Sequence, residues 1–172
     1  RVLPFFPRHW TNIHAGLDEA TPALAALFPH ADYRVLDIFD AREMTEPSIA
    51  RARKLCPPAV PAVRADFRHL PLTEASCDAH FVLFSAHALR SPAAREALFA
   101  ELQRTLKPCG VLVIAELIRN GWTALAFGPG AWHALPRREW LRLGEHAGFT
   151  LRKELAITPL VRVFVWERSR PT

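Results

Sequence analysis

The chain has 172 residues, enough for one domain with a substantial core and short for two. Half of the residues are hydrophobic and 23% are charged, an ordinary globular composition, and no apolar run approaches the roughly 20 residues that a membrane span needs. The net charge of +5 rests on 22 basic residues, 19 of them arginines dispersed along the chain without a basic block or aromatic-interleaved stripe, so nucleic acid is not an expected partner and no membrane is expected.

Taken in chain order, strand-like and helix-like segments alternate, which predicts a largely parallel sheet covered by helices on both faces. "HWTNI" (9–13) reads as a first strand. "DEATPALAALF" (18–28) reads as a helix, with Thr21 as a capping residue and Pro22 suited to the first turn. A second strand is expected over 33–39, a helix entered through Pro47 over 46–55, and a third strand over 60–66. "CDAHFVLFSA" (77–86) is apolar enough for a central strand buried on both faces. The next segment, 91–106, has a serine cap, a proline at the first helical position and Ala94, Leu98, Leu102 and Leu106 on one stripe. "LKPCG" should end that helix, "VLVIAEL" (111–117) should form another buried strand, and 118–135 reads as irregular. A helix over 136–148 and two β-rich stretches follow, separated by little more than Thr158 and Pro159, and these are expected to be antiparallel neighbours.

Cys56, Cys77 and Cys109 are odd in number and scattered, which fits reduced thiols in the cytoplasm rather than a disulfide framework. Cys77 and His80 have a metal-like spacing but no second pair to complete four ligands, so no metal is expected. The chain begins at Arg1 rather than a methionine, which is compatible with a missing N-terminal piece, and "RVLPFFPRHW" is too interrupted by proline for a signal peptide.

The order of elements resembles the class I S-adenosylmethionine-dependent methyltransferases, particularly the small type 11 group. The resemblance spans about residues 11–167 and is most specific over "RADFRHLPLTEASCDAHFVLFSAHALRSPAAREALFAELQRTLKPCGVLVIAEL", where an acid, a Leu-Pro turn, a strand, a helix and a Leu-Lys-Pro-Gly-Gly-like turn succeed one another. Cys109 stands where that turn has a glycine. The resemblance implies a Rossmann-like seven-stranded, mostly parallel α/β sheet closed by an antiparallel C-terminal hairpin, in a single domain. It also implies S-adenosylmethionine as cofactor.

Matched to the family's first loop of an acid and three alternating glycines, this chain supplies Asn12, His14, Gly16 and Asp18, with Ala15 between, so only the middle glycine remains. The resemblance assigns the ribose hydroxyls to Asp37, flanked by Ile38 and with Asp40 as the competing candidate. It assigns the adenine amino group to Asp66, with Phe67 as an apolar wall or a backbone donor. Ser85 completes the cofactor set. His87, at the carboxyl edge of the fourth strand, is the candidate general base, and Arg90, Glu116, Arg119, Trp132 and His133 are the candidate acceptor-binding residues. The expected activity is methylation of a small molecule. The alternative is a non-catalytic methyltransferase-like binding or partner protein whose first loop has decayed. An RNA methyltransferase would rest on basic charge alone.

Overall fold

The computed structural model describes residues 3–55 and 61–169, and in it the alternation becomes strand β1 (His9–His14), helix α1 (Thr21–Leu27), β2 (Asp32–Asp37), α2 (Pro47–Leu55), β3 (Val63–Arg64) and β4 (Cys77–Leu83). Helix α3 (Pro92–Thr105), β5 (Leu106–Leu117), α4 (Gly121–Phe127), α5 (Arg137–His146), β6 (Phe149–Ala156) and β7 (Val161–Arg168) follow, with 3₁₀ turns at Ala86–Ala88 and Gly128–His133. The strands form one sheet in the order β3-β2-β1-β4-β5-β7-β6. The first five pair in parallel, and β7 runs antiparallel to both β5 and β6. The seven-stranded, mostly parallel sheet with its antiparallel hairpin is therefore present.

Both faces of the sheet are covered. On one, Ile13, Leu36, Val82, Ile114, Phe164 and Trp166 pack against α3 and α5. On the other, Trp10, Phe81, Val113 and Val165 meet Phe28 and the N-terminal Leu3. Helix α3 is specified as the sequence suggests: the Ser91 hydroxyl accepts the Ala94 N–H at 3.1 Å, and Ala94, Leu98 and Leu102 are buried. Such a cap stabilises a helix by about 1 kcal/mol. Helix α5 approaches β7 so closely that a Cβ on Gly144 would stand 2.6 Å from the Trp166 ring, so only glycine fits there.

Several local expectations are corrected. Helix α1 starts at Thr21 rather than Asp18, because the Asp18 carboxylate turns back to accept the Ala20 and Thr21 N–H groups, and the N-cap is Ala20. Thr21 is not the cap; its hydroxyl accepts from Asn12. β4 ends at Leu83, and β5 begins at Leu106, where Leu106 pairs with Cys77 before a bulge. Within that bulge Cys109 takes a left-handed φ of 63°, a conformation suited to the glycine it stands in for. The stretch 118–135 is mostly helical, since Asn120 and Thr123 form a reciprocal capping box that starts α4. The third strand is only two residues long, and Val60 and Cys56 lie outside the described residues. No group of three metal-binding side chains occurs among the described residues, and none of their helices is long and apolar enough to cross a membrane.

His80 sits at the centre of β4 with no exposed surface. The Thr105 hydroxyl donates to the Glu101 carbonyl and so accepts from the His80 Nε2–H at 2.8 Å, which leaves Nδ1 without a partner. Burial pushes the His80 pKa down to about 3, so the ring is neutral in the folded protein. Its folded pKa lies below the unfolded value, so stability is intact above about pH 6.5 and is lost as pH falls toward about 3. The full loss is about 5 kcal/mol, at about 1.4 kcal/mol per pKa unit. Urea unfolding between pH 7 and 4 should show this slope in the wild type and a markedly flatter one in His80→Leu.

Candidate active site

The carboxyl ends of the parallel strands converge on one edge of the sheet, where open α/β folds collect ligands. The first loop leaves β1 there. Asn12 is buried, and its side-chain amide donates to Asp18 Oδ1 (2.9 Å) and Thr21 Oγ1 (2.8 Å), so its role is to tie the loop to the start of α1. Gly16 takes φ +124°, which a side chain rarely adopts, and its N–H donates to His14 Nδ1 at 3.1 Å. Because Nδ1 accepts, the neutral His14 ring carries its proton on Nε2, which is buried without a partner. Burial holds the His14 pKa below its ordinary value, against the opposing charges of Asp37 and Asp18.

Asp37 is the last residue of β2, the position at which the resemblance expects the acid. Asp40 lies beyond the strand, where its carboxylate accepts the Arg42 N–H at 2.8 Å and its carbonyl accepts from Met44, as a turn-capping residue does. The Asp37 carboxylate accepts the Phe39 N–H at 3.1 Å and both arms of the Arg53 guanidinium at 2.9 and 2.7 Å. Burial alone would raise its pKa, but the hydrogen bonds from Arg53 and Phe39 hold it below the usual carboxylate range. Beside it, Ile38, Asp40, Arg64, Asp66 and Phe67 line an open crevice of about 390 Å³. Asp66 is exposed there, with one oxygen on the Arg68 N–H. Phe67 is 1% exposed and its ring belongs to the core, which removes it as an apolar wall and leaves its backbone.

On the other side of the first loop, Asn12, His14, Leu17, Asp18, Leu83 and Phe84 border a crevice of about 230 Å³. A neighbouring cavity of about 190 Å³ lies between Ala15 and Leu17 of the loop, Ser48, Ile49 and Ala52 of α2, and Phe84 and His87 after β4. His87 Nδ1 is 2.7 Å from Glu116 Oε2, and Glu116 Oε1 accepts the N–H groups of Ala86 (2.9 Å) and His87 (3.3 Å). The Glu116 charge raises the His87 pKa above its ordinary value, against a smaller opposing effect of burial.

This geometry corrects two assignments. Glu116 is 0% exposed, so it does not meet an acceptor; it stands behind His87 and fixes the imidazole. Ser85 is buried and its hydroxyl donates to the Ile13 carbonyl at 2.9 Å, a tie between β1 and β4 rather than a cofactor contact. Arg90 and His133 do come together, Arg90 Nη1 lying 2.5 Å from His133 Nδ1, and Arg90 also pairs with Glu46 at the entrance to α2. Arg119 and Trp132 pair with each other instead, the guanidinium 5.7 Å from a ring that is 75% exposed, and neither lines the 190 Å³ cavity. The sequence reading missed Arg53, Glu46 and Phe84. Arg53 sits in a basic helix beside Arg51 and Lys54, where nothing distinguishes it.

These residues can be tested against the cofactor that the resemblance implies. An acid at the end of β2, an open crevice beside it, a glycine of positive φ and an orphaned buried His14 N–H all suit a nucleoside with a polar tail. The Arg53 side chain lies on both Asp37 and Gly16, and it is long and partly exposed. The residues therefore fit S-adenosylmethionine provided that Arg53 moves.

Comparison with known proteins agrees. No curated protein sequence matches the chain. Among solved structures, a SAM-dependent methyltransferase from Aquifex aeolicus aligns with a TM-score of 0.71 at 17% identity, over 94% of this chain and 82% of that one. A SAM-dependent methyltransferase from Methanosarcina mazei aligns with a TM-score of 0.69 at 16% identity, over 99% and 96%. The structure of PigF with SAH aligns with a TM-score of 0.65 at 16% identity, over 94% of this chain and 50% of that one. These likenesses establish the fold. The profile of the family described as a methyltransferase domain matches residues 15–114, more than half of the chain. The chain thus belongs to the methyltransferase-domain family, with the class I fold and S-adenosylmethionine as the family's cofactor.

Proposed function

We propose that the chain catalyses methyl transfer to a small-molecule acceptor whose attacking atom carries a proton, a phenol or an amine, with His87 as the base. The observation that carries this reading is His87, backed by the buried Glu116, on the wall of a 190 Å³ cavity that also borders the first loop. S-adenosylmethionine, when bound, supplies a methyl group on a sulfonium, open to in-line displacement. Asp37 would hold the ribose hydroxyls, since two carboxylate oxygens suit a vicinal diol, and Asp66 would face the adenine. Gly16 would let the backbone approach the cofactor, and the His14 Nε2–H is a donor available to an acceptor on it.

The chemistry of the base follows from Glu116. A carboxylate accepts from His87 Nδ1–H, so Nε2 is left with its lone pair, ready to accept the acceptor's proton. The small cavity favours a compact acceptor, and Leu17, Ile49 and Phe84 offer it apolar surface beside His87. The odd, scattered cysteines support a cytoplasmic setting, and residues 1–172 read as one methyltransferase-like domain, compatible with a further N-terminal extension. The experiment is a screen of phenols, amines and small carboxylic acids with purified protein and S-adenosylmethionine, read as S-adenosylhomocysteine formed.

A second reading, a non-catalytic binding or partner protein, is favoured by two features of the same region: the lost glycines of the first loop and Arg53 on the ribose acid. It would leave His87 and Glu116 without a use. Absence of turnover across the screen, together with no affinity for the cofactor, would replace the enzymatic reading with this one.

A further inference from the structure

Arg53 is joined to the candidate cofactor site by three contacts, all made outside its own helix. Its guanidinium takes both oxygens of Asp37, at 2.9 and 2.7 Å. Its stem lies along the bare face of Gly16: a Cβ there would stand 2.4 Å from Arg53 Cγ, 2.6 Å from Nη1 and 2.7 Å from Cδ. Its Cζ lies 4.4 Å from the centroid of the Phe39 ring, just past the end of β2. Helix α2 meanwhile has no buried residue, and Arg53 lies in its last turn. The side chain is thus held mainly by Asp37, Gly16 and Phe39.

A carboxylate that accepts a bidentate arginine has its best acceptor directions filled. The two hydroxyls of a ribose need those same directions, so guanidinium and ribose compete for Asp37. The surface of Gly16 is contested in the same way, because a cofactor approaching the loop backbone needs the space that the Arg53 stem occupies. Resting on the assignment of this crevice to the cofactor, we propose that Arg53 sets the affinity of the site by direct competition: S-adenosylmethionine binds only when the arginine swings off Asp37 and Gly16, and removing the arginine tightens binding. Competition of this kind also gives Gly16 a second reason to be glycine, since both occupants need its missing side chain.

The test is calorimetric titration of S-adenosylhomocysteine into four folded proteins: wild type, Arg53→Gln, Asp37→Asn and the double variant. Circular dichroism and thermal midpoints establish that each is folded, and Arg53→Met, which likewise removes the charge, replaces Arg53→Gln if the latter is not. Arg53→Gln is expected to lower Kd by about tenfold, about 1.4 kcal/mol. In the Asp37→Asn background, where the arginine has lost its charged partner and the ribose its carboxylate, the same substitution should change Kd by less than about twofold. An unchanged or raised Kd in Arg53→Gln would overturn the proposal while leaving the cofactor site in place. A gain of equal size in both backgrounds would also overturn it, since competition for Asp37 would not then be the cause. If none of the four proteins binds at 10 mM ligand, on the order of the weakest affinity such titrations read, the assignment of the crevice itself fails.

Discussion

Replacing His87 by alanine is expected to slow methyl transfer by about 10²- to 10⁴-fold, the range that a positioned general base contributes, while the affinity for S-adenosylmethionine changes by less than about threefold. The sharper form of the test is Glu116→Gln. The introduced glutamine is isosteric with the native side chain and could still accept the N–H groups of Ala86 and His87 through its carbonyl. Its amide would then donate to His87 Nδ1, forcing the ring proton onto Nε2, where it cannot accept from the substrate. Most of the rate should therefore be lost without loss of packing. The pH profile separates this from a structural effect. Because Glu116 raises the His87 pKa, wild-type turnover should fall as pH drops through a midpoint above the ordinary histidine value of 6.5. The residual activity of Glu116→Gln should lack that limb or show it at lower pH. Rates that match wild type in His87→Ala, measured on the acceptor found by the screen, would remove the base from the reaction.

Gly16→Val is expected to abolish detectable cofactor binding, a loss of at least about 100-fold, or about 2.7 kcal/mol. The β-branched side chain would have to adopt φ +124° and would collide with the Arg53 stem at 2.4 Å. Strain of this kind costs on the order of 1–3 kcal/mol, so the thermal midpoint should fall by several degrees with the fold retained. The two losses have separate origins: the first from filling the cradle, the second from the backbone. A folded Gly16→Val protein that binds S-adenosylmethionine as wild type does would show that the cofactor does not approach the loop at this residue.

The parts of this architecture that were legible in the sequence are those fixed by short-range physics. The central strands declared themselves through uninterrupted apolar runs, α3 through Ser91 and Pro92, and the hairpin through the brevity of the link around Thr158 and Pro159. What was missed depends on contacts between distant segments. Asp18 looks like the first residue of a helix but is drawn back by Asn12 and its own turn. Glu116 looks like an exposed acid at the end of a strand, and only the fold reveals that the Ala86–Ala88 turn covers it. The acid of β2 was assigned to Asp37 by resemblance, but its partner Arg53 comes from a helix sixteen residues on. Helix α4 did carry a local signal in Asn120 and Thr123, three residues apart, hidden by the glycines that follow.

The most direct measurement is calorimetric titration of S-adenosylmethionine into the wild-type chain and into Asp37→Ala. One saturable site is expected in the wild type, weakened in Asp37→Ala by about 1.5–3 kcal/mol, the range for a charge-assisted hydrogen bond, whereas Asp40→Ala, whose carboxylate is engaged by the Arg42 N–H and the Arg68 guanidinium, should weaken it less. Wild-type protein that takes up no S-adenosylmethionine at millimolar concentration, or that binds it equally well without Asp37, would contradict the assignment of this crevice to the cofactor.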